Sequence, residues 1–359
     1  MAAILAGVRT MSLDKQPLVS VMTPVYNGED FLAECIESVL NQTYQNFEYI
    51  IVNNCSKDRS LQIAQEYAKK DARIKIHDNE KFVGVIDNHN TAFNLMSPNA
   101  KYCKMVSADD YIFPDCIAKM VELAEANPSI GFVGTYQLSG DIVRWQGFMY
   151  PTIVFPGREL GRRFFLEEQI FVSGQPILGF GTPSSLLYRA DLVRDSKEFY
   201  PNASPHSDTS ACYRYLRQCD FGFIYEILSF ERTHAATQST RSAQMNRYSS
   251  ATLNDLIEYG SYYLEPDELK QRIQETLTDY HRFLAGSYVE RFNDKDFWNY
   301  HEGCLKELGY PLKRFDLFKA AVSTAAANPG RAIGKIWRNI FPKTEKYAAA
   351  APPRARAAH

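Results

Sequence analysis

Three short runs in the 359-residue chain carry side chains able to hold a charged ligand: Thr23-Pro24-Val25-Tyr26-Asn27-Gly28, Asn53-Asn54-Cys55-Ser56 and Ser107-Ala108-Asp109-Asp110. Each follows a β-rich apolar run, and open α/β sheets bind ligands where their parallel strands end. Adjacent carboxylates at a strand end repel each other, and a hard divalent cation carrying phosphate oxygens relieves that repulsion. Alone, Asp109-Asp110 reads equally well as a turn and helix-cap device. Several other chemistries are absent by inspection: the chain has no H-E-x-x-H, no G-x-S-x-G and no complete G-x-G-x-x-G after its first apolar run. The run from Gly330 to Ile336 is one residue short of a phosphate loop and lacks its Ser or Thr.

The elements that must position these runs follow from periodicity. Strands are expected at Val19–Val25, Phe47–Val52, Arg73–His77, Tyr102–Val106 and Ile130–Leu138, alternating with helical patterns. Between the first two strands Phe31, Leu32, Cys35, Ile36, Val39 and Leu40 recur at helical spacing; Ile117, Met120, Val121 and Ala124 repeat the pattern after Pro114. Ser56 and Asp58 can cap the helix after the second strand, and Asn127-Pro128 can end the helix before the fifth. The implied class is α/β, a mostly parallel sheet with flanking helices and a C-terminal helical extension. From Gly140 to Gly181 the pattern loosens into aromatic, Gly- and Pro-rich sequence, expected to be irregular or partly antiparallel. A helix is expected over Ser207–Gln218, a strand over Phe223–Phe230, and helices over Tyr248–Gly309.

The stretch VSVMTPVYNGEDFLAECIESVLNQTYQNFEYIIVNNCSKD, from Val19 to Asp58, together with the later SADD, resembles the nucleotide-binding half of the family 2 glycosyltransferases of the GT-A (Rossmann-like) fold. The likeness covers about residues 18–140 well and 180–235 more loosely. It implies that Thr23, Pro24, Tyr26, Asn27, Asn53, Asn54, Asn88 and Asp109 line a nucleotide-sugar site, with His89 approaching ribose or phosphate. It implies Mg²⁺ or Mn²⁺ at Asp109 and Asp110, the second being the more direct ligand, with His234 able to complete the shell. One departure is plain: the family's Asp-Asp after the second strand is Asn53-Asn54 here. An amide carbonyl still accepts from a base N–H, but the amide nitrogen donates where a carboxylate would accept.

The same resemblance makes Gly179 to Ser185 an acceptor-side segment, with Gly181, Thr182, Pro183 and Ser184 facing the acceptor. Asp208, in Pro205-His206-Ser207-Asp208, takes the place of the family's catalytic Asp, although the usual Glu before it is Ser207. Sugar hydroxyls are poor nucleophiles at neutral pH, so a carboxylate must take the proton as the C1 bond forms; Asp208 equally suits the start of a helix as a cap. Arg232 and Arg241 fit solvated loop charges or diphosphate contacts.

Composition limits the wider reading. A 45% hydrophobic and 23% charged chain is not disordered, and 40 Lys+Arg against 42 Asp+Glu leave no basic footprint for nucleic acid. Seven cysteines without a C-x-x-C pair argue for a reducing cytoplasm. Residues 331–341 place Ile333, Ile336, Trp337, Ile340 and Phe341 opposite Arg331, Lys335 and Arg338, a basic amphipathic pattern suited to an anionic membrane surface or to docking on protein. The expected partition is a flexible 1–16, a nucleotide-sugar half 17–140, an acceptor and catalytic half 141–245, a helical subdomain 246–328, the basic helix 329–345 and a disordered tail 346–359. The expected activity is metal-dependent, inverting transfer from a nucleotide-diphosphate sugar, a UDP-sugar foremost, to a saccharide or glycolipid hydroxyl in cell-surface polysaccharide or glycolipid synthesis. A non-catalytic module derived from such a transferase is the rival reading, and a nucleotidyltransferase is disfavoured because Thr23 to Asp30 contains no basic residue.

Overall fold

The computed structural model describes residues 16–144, 153–166, 171–172, 175–176, 180–201, 204–233, 242–288, 291–313 and 317. His234, Arg241, Gly179 and the basic helix expected near 331–341 lie outside these residues.

The first half alternates strand and helix as expected: β1 (Val19–Val25), α1 (Leu32–Leu40), β2 (Phe47–Asn53), α2 (Ser60–Ala68), β3 (Ile74–Asp78), α3 (Val85–Asn94) and β4 (Tyr102–Met105). All seven residues of β1 and all seven of β2 are buried, the signature of parallel strands covered on both faces. Helix α1 turns Leu32, Cys35, Ile36 and Val39 to one side of the sheet, while Ala92 and Phe93 of α3 join the core on the other.

The second half supplies β5 (Tyr111–Ile112), α4 (Cys116–Ala126), β6 (Ile130–Ser139), β7 (Ile142–Arg144), β8 (Val154–Phe155), α5 (Gly157–Leu166), β9 (Phe171–Val172), β10 (Gln175–Pro176), β11 (Leu186–Arg189), α6 (Ala190–Arg194), α7 (Ser207–Leu216) and β12 (Asp220–Glu231). The main sheet runs β3-β2-β1-β4-β11-β6-β12-β5, with β7 paired to β6 and β8 to β12. Strands β3, β2, β1 and β4 are mutually parallel; β11 runs antiparallel between β4 and β6. The strand order reverses between β1 and β4, so a crevice forms at their C-terminal ends. The runs that end in Asn27-Gly28 and Asp109-Asp110 lie there.

Helix α5 departs from the loose structure expected over 140–181. Its glycines suggest a broken segment, yet they serve close approach instead. A Cβ on Gly161 would meet the Tyr263 ring at 2.5 Å, and one on Gly157 would meet the Cys219 carbonyl oxygen at 1.9 Å. Phe164 and Phe165 pack on Phe180 and Tyr213 from this helix, with Phe165 stacked on Tyr213 at 4.3 Å.

After β12 come α8 (Arg247–Tyr259), α9 (Pro266–Ser287) and α10 (Lys295–Glu307). Two compact units divide at 273/274, inside α9. Within the first unit, Leu256, Tyr259, Tyr263 and Leu264 belong to the core that also holds Phe180 and Tyr213. In the second unit Leu277, Tyr280 and Leu284 of α9 and Phe297, Trp298 and His301 of α10 are buried, and Asp294 caps α10 by accepting from the Phe297 N–H at 3.1 Å. Among the described residues no helix is long and apolar enough to cross a membrane.

Candidate functional site

The loops after β1 and β2 are laced together by side chains. The Asn27 N–H donates to Ser56 Oγ at 3.0 Å, the Gly28 N–H to Ser60 Oγ at 2.8 Å and the Glu29 N–H to Asp58 Oδ2 at 2.9 Å; in return Asn27 Oδ1 accepts from the Lys57 N–H at 2.7 Å. Asn27 and Cys55 sit at φ +51° and +57°, the left-handed region. The Asn27 side chain is thus spent on loop geometry. Thr23 likewise turns inward: fully buried, its hydroxyl lies 2.9 Å from the Tyr49 hydroxyl. Pro24 is buried in β1 opposite Val52. The first run contributes one open side chain of size, Tyr26, which is 49% exposed and meets the 58%-exposed Phe82 edge-on at 4.8 Å. Two neighbouring aromatic rings kept in water at a crevice offer stacking faces.

Asn54 and Asn88 are buried in an amide cluster. Asn54 Oδ1 accepts from the Val83 N–H and from Asn79 Nδ2, while Asn79 Nδ2 also donates to Asn88 Oδ1 at 2.8 Å. Asn53 donates Nδ2 to Asp78 Oδ1 at 2.7 Å, its register partner on β3, and that bond fixes which way the amide faces. The Asn53 carbonyl oxygen is then left buried without a partner. Beside this cluster, burial pushes the His89 pKa down, and Nδ1 bonds to the Val85 carbonyl at 2.7 Å; His89 stands as a neutral ring rather than a fixed cation.

The acidic pair sits at the switch point. Asp110 is buried, accepting from Ser184 Oγ at 2.6 Å and from the Arg232 N–H at 3.0 Å. Burial first, and then the neighbouring Asp109 charge, holds its carboxyl well above the usual carboxylate range. Arg232 Nε donates to the Asp109 carbonyl at 3.1 Å, its guanidinium lies over Phe31 at 4.6 Å, and it pairs with Glu34 at 2.5 Å. Arg232 is therefore a latch on the acidic turn. Its side chain is not the solvated loop charge that sequence permits.

Do these residues fit a divalent cation? Two carboxylates offer hard oxygen donors, and each Asp110 oxygen keeps a lone pair beyond the single bond it accepts. A carboxyl held up by burial and a like charge is in the state that a cation relieves. No cluster of three or more His, Cys, Asp or Glu stands together among the described residues, so the two aspartates would be the protein's share of the donors. The residues fit.

The expected acceptor-side segment is bound into the same turn. Ser184, fully buried, donates to Asp110 and accepts from the Ser107 N–H at 3.0 Å, so it orients the acidic pair and does not face an acceptor. Gly181 has φ +140°, and a Cβ there would strike Ser185 Oγ at 2.3 Å. Thr182 donates to Gln137 at 3.0 Å, and Pro183 starts a single 3₁₀ turn. Under this turn lies Lys104, fully buried, whose ammonium donates to the Ser184 and Leu186 carbonyls at 2.7 and 3.2 Å. A lysine within an otherwise buried strand was the sequence signal for it; its role was not inferred.

Asp208 stands in the first turn of α7, where a carboxylate also complements the helix dipole. Its Oδ1 accepts from the Thr209 N–H at 2.7 Å. Burial, partly opposed by that bond and by the His206 charge, pushes its pKa up to about 6. Its charge is felt by Tyr188 and Tyr200, whose hydroxyls meet at 3.3 Å, and the Tyr200 backbone is held at both ends by Asn90 of α3. The structure thus gathers Asp109, Asp110, Ser184 and Arg232 around one turn, and Tyr200, which feels the Asp208 charge, is bonded to the helix that carries Asn88.

Residues 20–196 match the family model described as glycosyl transferase family 2. That segment, just under half of the chain, is similar to the glycosyltransferases of family 2. An uncharacterized glycosyltransferase of Haemophilus influenzae is 39% identical over 124 residues, 34% of this chain and 38% of its own length. The putative teichuronic acid biosynthesis glycosyltransferase TuaG of Bacillus subtilis is 34% identical over 127 residues, 35% of this chain and 50% of its own. The chain thus spans about a third to a half of the length of these curated relatives. Among solved structures, S. aureus TarS 1-349 in complex with UDP-GlcNAc aligns with TM-score 0.56 at 16% identity, covering 89% of this chain and 88% of TarS. The mannosyltransferase PcManGT from Pyrobaculum calidifontis, in complex with GDP-Man and Mn²⁺, aligns with TM-score 0.52 at 15% identity over 92% and 89%. These likenesses establish the fold, a GT-A α/β architecture.

Proposed function

We propose that the chain is an inverting glycosyltransferase that moves a sugar from a nucleoside-diphosphate donor to a hydroxyl of a saccharide or glycolipid. The observation that carries this reading is the Asp109-Asp110 pair at the switch point, with Asp110 buried and held above the usual carboxylate range. Tyr26 and Phe82 stack the base, and the Asn53-Asp78 edge beside them accepts from its N–H groups. Asp109 and Asp110 would hold Mg²⁺ or Mn²⁺, which supplies positive charge to the departing diphosphate. Asp208 takes the proton of the acceptor hydroxyl while that oxygen bonds to C1 and the C1–O bond to the diphosphate breaks. TarS was solved with UDP-GlcNAc and PcManGT with GDP-Man and Mn²⁺, which supports the donor class, and a UDP-sugar is the first choice. Assembly of a cell-surface polysaccharide is the setting that the likeness to TuaG favours.

The test is a thermal-shift panel of UDP-, GDP-, CMP- and dTDP-sugars with and without Mn²⁺. One nucleotide should stabilise the protein in a metal-dependent way, and Phe82→Ala should weaken its binding by about 1–3 kcal/mol, the worth of one base stacked on an aromatic ring. Failure of every nucleotide under every metal condition would sink the reading in favour of a non-catalytic module. The basic, aromatic sequence 331–341 also suits an anionic membrane surface. A chain ending at Pro329 should therefore lose co-sedimentation with anionic vesicles; undiminished binding would remove that part of the reading.

A further inference from the structure

The base candidate has a neighbour that the reaction as described leaves unused. His206 is the residue before α7, two positions from Asp208, and its Nδ1 lies 2.9 Å from Oδ2 of Asp255 on α8. Asp255 is 2% exposed, and its other oxygen accepts from Ser210 Oγ at 2.5 Å. A carboxylate can only accept, so Nδ1 of His206 carries a proton, and this bond turns Nε2 away from Asp255. That nitrogen has no hydrogen-bond partner among the described residues, while the side chain keeps 19% of its surface open. The Tyr248 ring stands beside the imidazole, centroids 5.6 Å apart.

A ring locked by a buried carboxylate, beside an aromatic face and a carboxylate base, has the parts of a sugar subsite: a fixed polar contact, a base and an apolar wall. We propose that His206, held by Asp255, binds a second hydroxyl of the acceptor sugar through Nε2 while Asp208 takes the proton of the reacting one. The acceptor class is then a pyranoside whose reacting hydroxyl has a free neighbouring hydroxyl. A role in joining α7 to α8 alone would explain the Asp255 bond but not the open Nε2. The inference rests on the reading of Asp208 as the base and deepens it.

The experiment uses the full chain, the donor identified by the nucleotide panel, and the methyl glycosides of glucose, galactose, mannose and rhamnose with their monodeoxy analogues. Transfer to the best glycoside should fall about tenfold or more in His206→Ala, chiefly through the acceptor KM, while donor hydrolysis by water changes less than about twofold. The analogue lacking the neighbouring hydroxyl should cost the wild type the same factor and cost His206→Ala nothing further. His206→Gln can donate to Asp255 and present a carbonyl in place of Nε2, so it should recover most of the loss. Independent, multiplying losses for the Ala variant and the deoxy acceptor overturn the proposal, as does an equal fall in hydrolysis. A wild type that neither glycosylates nor, by saturation-transfer NMR, binds any of these glycosides overturns it as well. Asp208→Asn run alongside separates the two levels: full transfer there removes the base itself, whereas lost transfer with unaffected His206→Ala removes only the contact.

Discussion

Asp208→Asn is expected to lose sugar transfer by about a thousandfold, within the range that a positioned general base contributes, while the folded protein gains stability. The two effects share one cause. Burial raises the Asp208 pKa from 3.8 to about 6, so the ionised carboxylate that can take a proton is also the form its surroundings disfavour. The base works only when ionised, so transfer should hold above pH 6 and fall by about tenfold at pH 5, one unit below the pKa. The stability sign runs the other way. A carboxyl whose folded pKa lies above its unfolded value contributes stability that is complete below pH 3.8 and is lost as pH rises through 6. Two pKa units correspond to about 3 kcal/mol at pH 7. An Asn at 208 can still accept the Thr209 N–H but carries no charge, so it should recover most of that penalty and raise the melting temperature by a few degrees. Melting curves at pH 7 and pH 4 check the assignment: the gap between variant and wild type should close toward pH 4. A less stable variant, or one with undiminished transfer, would exclude both parts.

Asp110→Asn should abolish metal-dependent nucleotide binding and reduce transfer by about a hundredfold to a thousandfold, the range seen when one electrostatic partner of a developing charge is removed. The fold should survive. The Asn carbonyl can keep the Arg232 N–H, and its amide can donate to Ser184 Oγ, whose own proton then loses its acceptor at a cost of about 1 kcal/mol. Against that cost stands relief of a buried carboxyl crowded by Asp109. Without nucleotide or metal, melting should therefore be unchanged or slightly higher, and added Mn²⁺ should shift wild type with nucleotide but not the variant. If the variant retains metal-dependent stabilisation, Asp110 is not a ligand.

Much of this arrangement was legible in the sequence where one element decides its own outcome. The strand β1 matches the expected Val19–Val25, and β2, β4 and β6 differ from expectation by single residues, because an apolar β-rich run bounded by turn residues needs no partner to be recognised. The acidic turn was placed correctly for the same reason. What sequence could not give was the direction in which polar side chains are spent. Thr23 and Ser184 carry hydroxyls suited to a ligand, yet one faces Tyr49 and the other Asp110, contacts 26 and 74 positions away along the chain. Asp255 illustrates the extreme. Its meeting with His206 spans 49 positions and leaves no local pattern. Helix α5 was missed because Gly157 and Gly161 look like breakers, and the ring of Tyr263 that explains Gly161 comes from a distant segment.

Lys104 has a consequence for where this chain can change length. One ammonium holds the carbonyls of Ser184 and Leu186, and Ser184 in turn holds Asp110. The segment from Gly181 to Leu186 is thereby fixed in length as well as in shape, since inserting or deleting a residue would strand a buried cation and turn away the acidic turn together. Gly140 needs its positive φ of +62°, but an added Cβ there would touch nothing, so no buried contact fixes the length of that turn. Changes of chain length are thereby better tolerated in the turn just after β6 than between Gly181 and Leu186, where residues can change only one for one.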